Sequence, residues 1–268
     1  QWWRSKMKSY RAKYAWNYSF VQESQVIVTG TPQFEPHYDS HLLQERAVFF
    51  AEHNLAIDKK YICYSGDDET TSPLDQYYLE DLAQAVRSLN SKGKNLGIIY
   101  RKCPVDTTNR YDAVLQANAD VIVAIDPIWK PMGKQWNEIL PTKEDLGLLY
   151  NICAHSEFVT NVCSSTVFDF VAHEKPCIYF NYEQPQLKKG IRDIGQNYKY
   201  VHFRSMPSPA AAVFCTDKKE LEHLVNEILE GKLSNVSEGK KWYAIVAGTT
   251  PTQASDKIWN AIDLVLKR

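Results

Sequence analysis

Apolar positions along this chain follow two spacings that take turns. Short β-branched and aromatic runs read as buried strands: Val26–Thr29, Lys60–Tyr64, Leu96–Tyr100, Asp120–Ile125, Phe158–Val162, Cys177–Phe180 and Ala211–Cys215. Between them, apolar residues recur at helical spacing. Leu42, Leu43, Ala47 and Phe50 predict a helix over His41–Asn54, and Leu74, Tyr78, Leu82, Ala85 and Leu89 predict one over Leu74–Leu89. Further helices are expected over Tyr111–Asn118, Lys143–Ala154, Asp217–Gly231 and Thr252–Lys267. Strands alternating with helices of this length predict an α/β domain: a parallel sheet with helices on both faces.

The stretch Glu157–Phe180 is the most informative. It reads as strand, polar turn, short helix and strand. Cys163, Ser164, Ser165 and Thr166 form the turn, Val167, Phe168, Phe170 and Val171 give the helix an apolar side, and Lys175-Pro176 stops it. A hydroxyl-rich turn at a helix start suits a phosphate. It equally suits a simple helix cap. Ligands of parallel sheets bind beyond the carboxyl ends of the strands. The segments Gly30–Gln33, Ser65–Asp68, Arg101–Cys103, Asp126 and Cys163–Thr166 all follow expected strands, so one rim gathers glycines, hydroxyls and cations.

Composition narrows the function. The 268 residues carry a formal charge of −1, which argues against a general nucleic-acid binder. No apolar run reaches the length of a membrane span. Six cysteines without a Cys-x-x-Cys pair favour buried free thiols and a cytoplasmic location. The segment 1–18 carries Arg4, Lys6, Lys8, Arg11 and Lys13 without an acid, and Trp3, Met7, Tyr10 and Tyr14 fall at helical spacing. Packing against protein is the favoured reading. Peripheral contact with the anionic inner face of a membrane is the alternative.

Several motifs are missing. There is no Gly-x-Gly-x-x-Gly, no P-loop, no Gly-x-Ser-x-Gly elbow and no local metal-ligand spacing among the histidines. No metal site and no cofactor are therefore expected. Asp67, Asp68 and Glu69 read as an exposed acidic loop rather than an ion site. The segment Asn181–Pro209, with Gln184, Lys188, Lys189, Arg192 and Tyr198, reads as surface loop or as a flap over a ligand.

Three segments carry a family resemblance. Val28-Thr-Gly-Thr-Pro-Gln-Phe34 resembles the Val-Thr-Gly-x-Pro-x-Phe turn that opens the C-terminal domain of many GT-B glycosyltransferases. Ile98–Asp106 resembles an Arg-Pro-His-Pro segment, and Cys163–Pro176 a Tyr-Ser-Ser-x-x-x-Asp-x-x-x-x-x-Lys-Pro segment, of the CDP-glycerol glycerophosphotransferase and capsule-polysaccharide group. The resemblance implies a Rossmann-like donor-binding half of a GT-B glycosyltransferase. Residues 25–268 would form that half, and residues 1–24 would be a linker leading from a missing N-terminal acceptor domain. A nucleotide-sugar donor would be the substrate and a glycan or lipid-linked molecule the acceptor.

Carried over, Ser164, Ser165 and Thr166, with Cys163 beside them, would meet the donor diphosphate, and Asp169 the ribose, a first-turn carboxylate that complements the helix dipole being its other reading. Gly30, Thr31, Ser65 and Gly66 would bring backbone and hydroxyl near the ligand. Arg101 would neutralise phosphate, with an ion pair to Asp106 or Asp126 as its other reading. The family histidine before proline is Cys103 here, so Lys102 would supply the charge or the donor is a sugar nucleotide rather than CDP-glycerol. No catalytic base is assigned; His37, His41 and His173 are weak candidates. A polyol-phosphate transferase, a sugar-nucleotide epimerase and a non-catalytic interaction module remain open alternatives.

Overall fold

The uninterrupted apolar runs become the middle of one sheet. The computed structural model describes residues 26–133, 138–188, 190, 192–248 and 250–267, so the basic segment 1–18 lies outside the described residues. Two 3-10 helices, Pro32–Tyr38 and Ser40–Leu42, precede α1 (Arg46–Glu52). Then come β1 (Lys60–Ser65), α2 (Asp75–Ser91), β2 (Leu96–Arg101), α3 (Asp112–Ala117), β3 (Ile122–Ala124), β4 (Trp129–Pro131) and β5 (Ile139–Pro141). The second half holds α4 (Lys143–His155), β6 (Ser156–Asn161), α5 (Thr166–Ala172), β7 (Cys177–Phe180), α6 (Ile194–Asn197), α7 (Val201–Arg204), β8 (Val213–Cys215), α8 (Leu221–Leu229), α9 (Val236–Val246) and α10 (Ala254–Leu266).

Six strands pair in the order β3-β2-β1-β6-β7-β8, all parallel. Strands β4 and β5 form a separate antiparallel pair. From β1 the chain winds outward through β2 to β3, and from β6 it winds the other way to β8. The reversal falls between β1 and β6. The α/β expectation with helices on both faces therefore holds.

Packing explains two details. Gly97 in β2 stands opposite Tyr61, and a Cβ there would lie 2.5 Å from the Tyr61 ring. On one face, the fully buried Trp242 of α9 sets its ring 4.7 Å from Phe168 of α5 at 71°. Phe34 inserts beside them, 5.3 Å from Tyr243 and 6.2 Å from Phe168. Edge-to-face aromatic packing of this kind adds to the area buried.

Some expectations are corrected. Val26–Thr29 forms no strand. Ile27 and Val28 are exposed, Gly30 turns the chain at φ +94°, and the Thr31 amide donates to the Ala247 carbonyl at 3.2 Å instead of joining a sheet. The helix expected over His41–Asn54 is split into a 3-10 turn and the shorter α1. Helix α9 was not expected. All six cysteines are free thiols, five of them buried and Cys103 half-buried.

Candidate functional site

The reversal of strand order opens a crevice between the carboxyl ends of β1 and β6, where ligands of such sheets bind. Ser65 ends β1, and Cys163–Thr166 link β6 to α5. Three hydroxyls meet there. Ser65 Oγ lies 3.0 Å from Thr166 Oγ1, which lies 2.9 Å from Ser164 Oγ. The turn is held from below: the Ser164 amide donates to Asn161 Oδ1 at 2.9 Å, and the Tyr179 hydroxyl donates to the Ser164 carbonyl at 3.1 Å. Ser165 is exposed and its hydroxyl makes no capping bond. The hydroxyl that serves the helix start is Ser164, which accepts from the Thr166 amide at 3.3 Å.

Asp67 borders the same crevice. Its carboxylate accepts from Cys163 Sγ at 3.3 Å and from the Asp68 amide at 2.8 Å, while its own amide donates to Asp75 Oδ2 at 3.1 Å. Burial, and then the nearby charge of Asp75, push the Asp67 carboxyl up to about 7. Asp75 is fully buried and accepts from the Tyr111 hydroxyl at 2.7 Å; burial raises it as well. Burial and Asp67 together keep Cys163 a neutral thiol. Arg110 fixes the loop by donating to Asp106 Oδ2 at 2.9 Å and to the carbonyls of Asp67 and Ser72. Asp67 therefore belongs to the crevice, not to an exposed acidic loop.

Past Asp67, the loops after β1 and β2 border an open cavity of 510 Å³ whose lining surface is mostly apolar. It is lined by Asp68, Glu69, Thr70 and Thr71 on one side and Val105, Asp106, Thr107 and Thr108 on the other. The segment from Asn181 to Pro209 covers the neighbouring strand ends. The Tyr198 hydroxyl shares its one proton between the Val162 and Phe180 carbonyls, and Asn197 Nδ2 donates to the Thr71 carbonyl at 2.9 Å. Arg192 stacks over Tyr200 at 4.9 Å, and its charge acts on the Cys163 thiol. Among the described residues of this segment, Arg192 is the cation whose charge reaches Cys163 at the crevice.

Several expected site residues have other partners. Arg101 is buried and pairs with Asp145, with Nη2 2.8 and 2.9 Å from the two carboxylate oxygens; neither Asp106 nor Asp126 is its partner. Lys102 Nζ donates to the Thr108 carbonyl at 2.8 Å, so its charge is drawn into its own loop. Burial pushes the Cys103 thiol up to about 11. Gly66 approaches the Tyr100 and Tyr111 rings, and its amide donates to the Arg101 carbonyl at 2.9 Å. A Cβ on Gly30 would lie 3.0 Å from the Ala247 carbonyl, and Thr31 Oγ1 donates to the Val246 carbonyl at 3.4 Å. Those two residues dock the chain onto the end of α9.

Asp169 also departs from expectation. His37 Nε2 lies 2.7 Å from its Oδ1, within a buried contact between the Pro32–Tyr38 helix and α5. His37 Nδ1 in turn lies 3.0 Å from His173 Nε2. His41 is exposed.

Sequence reasoning missed Asp145, Asp75 and Arg110. Asp145 reaches Arg101 across 44 positions, Asp75 reaches Tyr111 across 36, and Arg110 reaches Ser72 and Asp67 across 38 and 43, and a single chain carries no signal for such pairs.

No family model matches the chain, and no curated protein matches it. Solved structures do. S. aureus MnaA with UDP is 16% identical at a TM-score of 0.52, the match covering 96% of this chain and 57% of that one. The wall teichoic acid polymerase TagF soaked with CDPG is 16% identical at 0.52, covering 95% and 54%. An α,α-trehalose 6-phosphate synthase from Burkholderia multivorans is 8% identical at 0.51, covering 89% and 49%. The chain has a GT-B glycosyltransferase-like fold and spans about half the length of these structures.

Proposed function

We propose that the chain is the nucleotide-sugar-binding half of a metal-independent GT-B glycosyltransferase that builds surface polysaccharide. The observation that carries this reading is the hydroxyl cluster of Ser65, Ser164 and Thr166 at the strand-order reversal, with the 510 Å³ cavity past Asp67. The diphosphate would lie against these hydroxyls and exposed Ser165. Arg192 would balance its charge. The nucleoside would enter the cavity, where Asp68 and Glu69 can accept from ribose hydroxyls.

The chemistry follows from that placement. As the bond to the anomeric carbon breaks, negative charge grows on the leaving diphosphate. Preorganised hydroxyls and a cation stabilise that charge without a metal. Asp67, with its carboxyl pushed up to about 7, is protonated below neutral pH and can then donate that hydrogen to phosphate oxygen. The acceptor and the base that deprotonates it belong, on this reading, to an N-terminal domain. The resemblance of Cys163–Pro176 to the CDP-glycerol group supports polyol-phosphate transfer as the second reading.

Calorimetric titration with UDP, GDP, CDP and CMP, and with UDP-glucose and CDP-glycerol, tests both. Saturable binding that weakens about tenfold or more in Thr166→Val supports the donor site, in line with the loss of hydrogen bonds to a charged group. Preference for CDP-glycerol would favour the second reading. Absence of binding at millimolar concentration would leave a non-catalytic interaction module.

A further inference from the structure

A second cluster lies away from the crevice. His37 on the Pro32–Tyr38 helix, Cys153 on α4 and His173 just past α5 bring one ligand atom each to within 4.8 Å of one another. We propose that His37 Nδ1, His173 Nε2 and Cys153 Sγ bind one divalent cation of the zinc class.

Four observations carry this. First, the two ring nitrogens face each other at 3.0 Å. Ligand nitrogens on tetrahedral zinc stand about 3.3 Å apart, given bond lengths of about 2.0 Å. The spacing matches that of ligand nitrogens, and both rings must turn so that their lone pairs meet at one point together with Cys153 Sγ, which lies within 4.8 Å. Second, His37 Nε2 is 2.7 Å from the buried Asp169 carboxylate. A carboxylate on the far nitrogen of a ligating histidine fixes the ring and raises its basicity. Third, one thiol and two imidazoles select a borderline-soft cation over magnesium or calcium. Fourth, the charges close. On binding, the Cys153 thiol releases its proton to solvent. The thiolate and Asp169 then offset the two positive charges, and both imidazoles stay neutral.

The site is walled on one side by Tyr150, whose ring lies 4.6 Å from that of His173 and stacks on His37 at 14°. His173 is half-buried, which leaves a route for water to the fourth position. The cation would clamp the Pro32–Tyr38 segment onto α4 and α5. Without it, the His173 Nε2 hydrogen donates to His37 Nδ1 and the chain of hydrogen bonds is complete, so the metal-free cluster is the competing outcome.

The chain, dialysed against chelator, is titrated with Zn²⁺ by calorimetry and with Co²⁺ by absorption. One equivalent should bind, with a thiolate-to-cobalt charge-transfer band and tetrahedral d–d bands. The melting temperature should climb with free metal. Cys153→Ser should remove the charge-transfer band, and His173→Gln should weaken binding by about tenfold or more. A wild-type cobalt spectrum without the band overturns the proposal, as does a band that survives Cys153→Ser. If Cys153→Ser does not fold, unweakened binding in His173→Gln overturns it as well.

Discussion

Arg101 Nη2 contacts both carboxylate oxygens of Asp145, while Arg101 Nη1 is buried without a hydrogen-bond partner. The pair joins β2 to α4 and is almost fully removed from solvent. Asp145 also accepts from the Ile128 amide at 2.8 Å and from Trp129 Nε1 at 2.6 Å. The ion pair therefore ties the β4 region to the sheet. Arg101→Ala should destabilise the fold by about 3–5 kcal/mol, because it strands a buried carboxylate. Urea denaturation measures this, and a loss below about 1 kcal/mol would contradict the account.

Asp67 gives a pH dependence of defined sign. Its folded pKa of about 7 stands above the ordinary aspartate value of 3.8, so between the two the folded state holds a proton that the unfolded state has lost. Stability from this group is present at low pH and is lost as pH rises through the folded value. The melting temperature of the wild type should therefore fall between about pH 4 and 7 relative to Asp67→Asn and level off above that, while the variant lacks this slope. On the proposed function, affinity for UDP-glucose should fall as pH rises through about 7 and become flat in Asp67→Asn. Parallel curves for the two proteins would show that Asp67 does not titrate there.

Gly97 has a packing reason, since a Cβ would enter the Tyr61 ring. Gly97→Ala should cost about 1–3 kcal/mol by overpacking in the middle of the sheet. Combining it with Tyr61→Leu should recover part of the loss. A thermal melt of the single variant equal to wild type would remove the contact from the account.

Tyr198 holds the Asn181–Pro209 segment over the strand ends through the Val162 and Phe180 carbonyls. Tyr198→Phe removes both bonds and should cost about 1–3 kcal/mol. Hydrogen exchange in that segment should speed up more than in β1 or β2. Equal protection in the two proteins would mean that packing alone keeps the segment in place.

Much of the fold was legible in local pattern. The strand Cys177–Phe180 appears over its full expected length, and α2 differs by one residue at its start and two at its end. Both have long apolar faces and clear breakers. Val26–Thr29 misled because its apolar residues pack loosely at the surface rather than in a ladder. Helix α9 was missed because its first turns are polar and its apolar residues crowd into Trp242–Ala247, whose partners, Phe168, Phe34 and Phe203 among them, lie far away in sequence.

The site was legible in part. The stretch Cys163–Thr166 and Ser65 were marked by hydroxyls after strands, and the structure brings them together. Arg101 and Asp169 were assigned to a ligand on residue type. Their partners, Asp145 and His37, lie 44 and 132 positions away, so the competing ion pairs had no local signature.

The three meeting hydroxyls have a consequence for selectivity. Each hydroxyl is a rotor that can donate or accept, and Ser65, Thr166 and Ser164 already satisfy one another. A guest oxygen or a guest hydrogen can be met with equal ease by turning the same three groups. The cluster offers adaptability but cannot by itself tell an anion from a neutral polyol. On the proposed function, that discrimination falls to the flanking charges, with Arg192 drawing in a negative group and an ionised Asp67 turning it away.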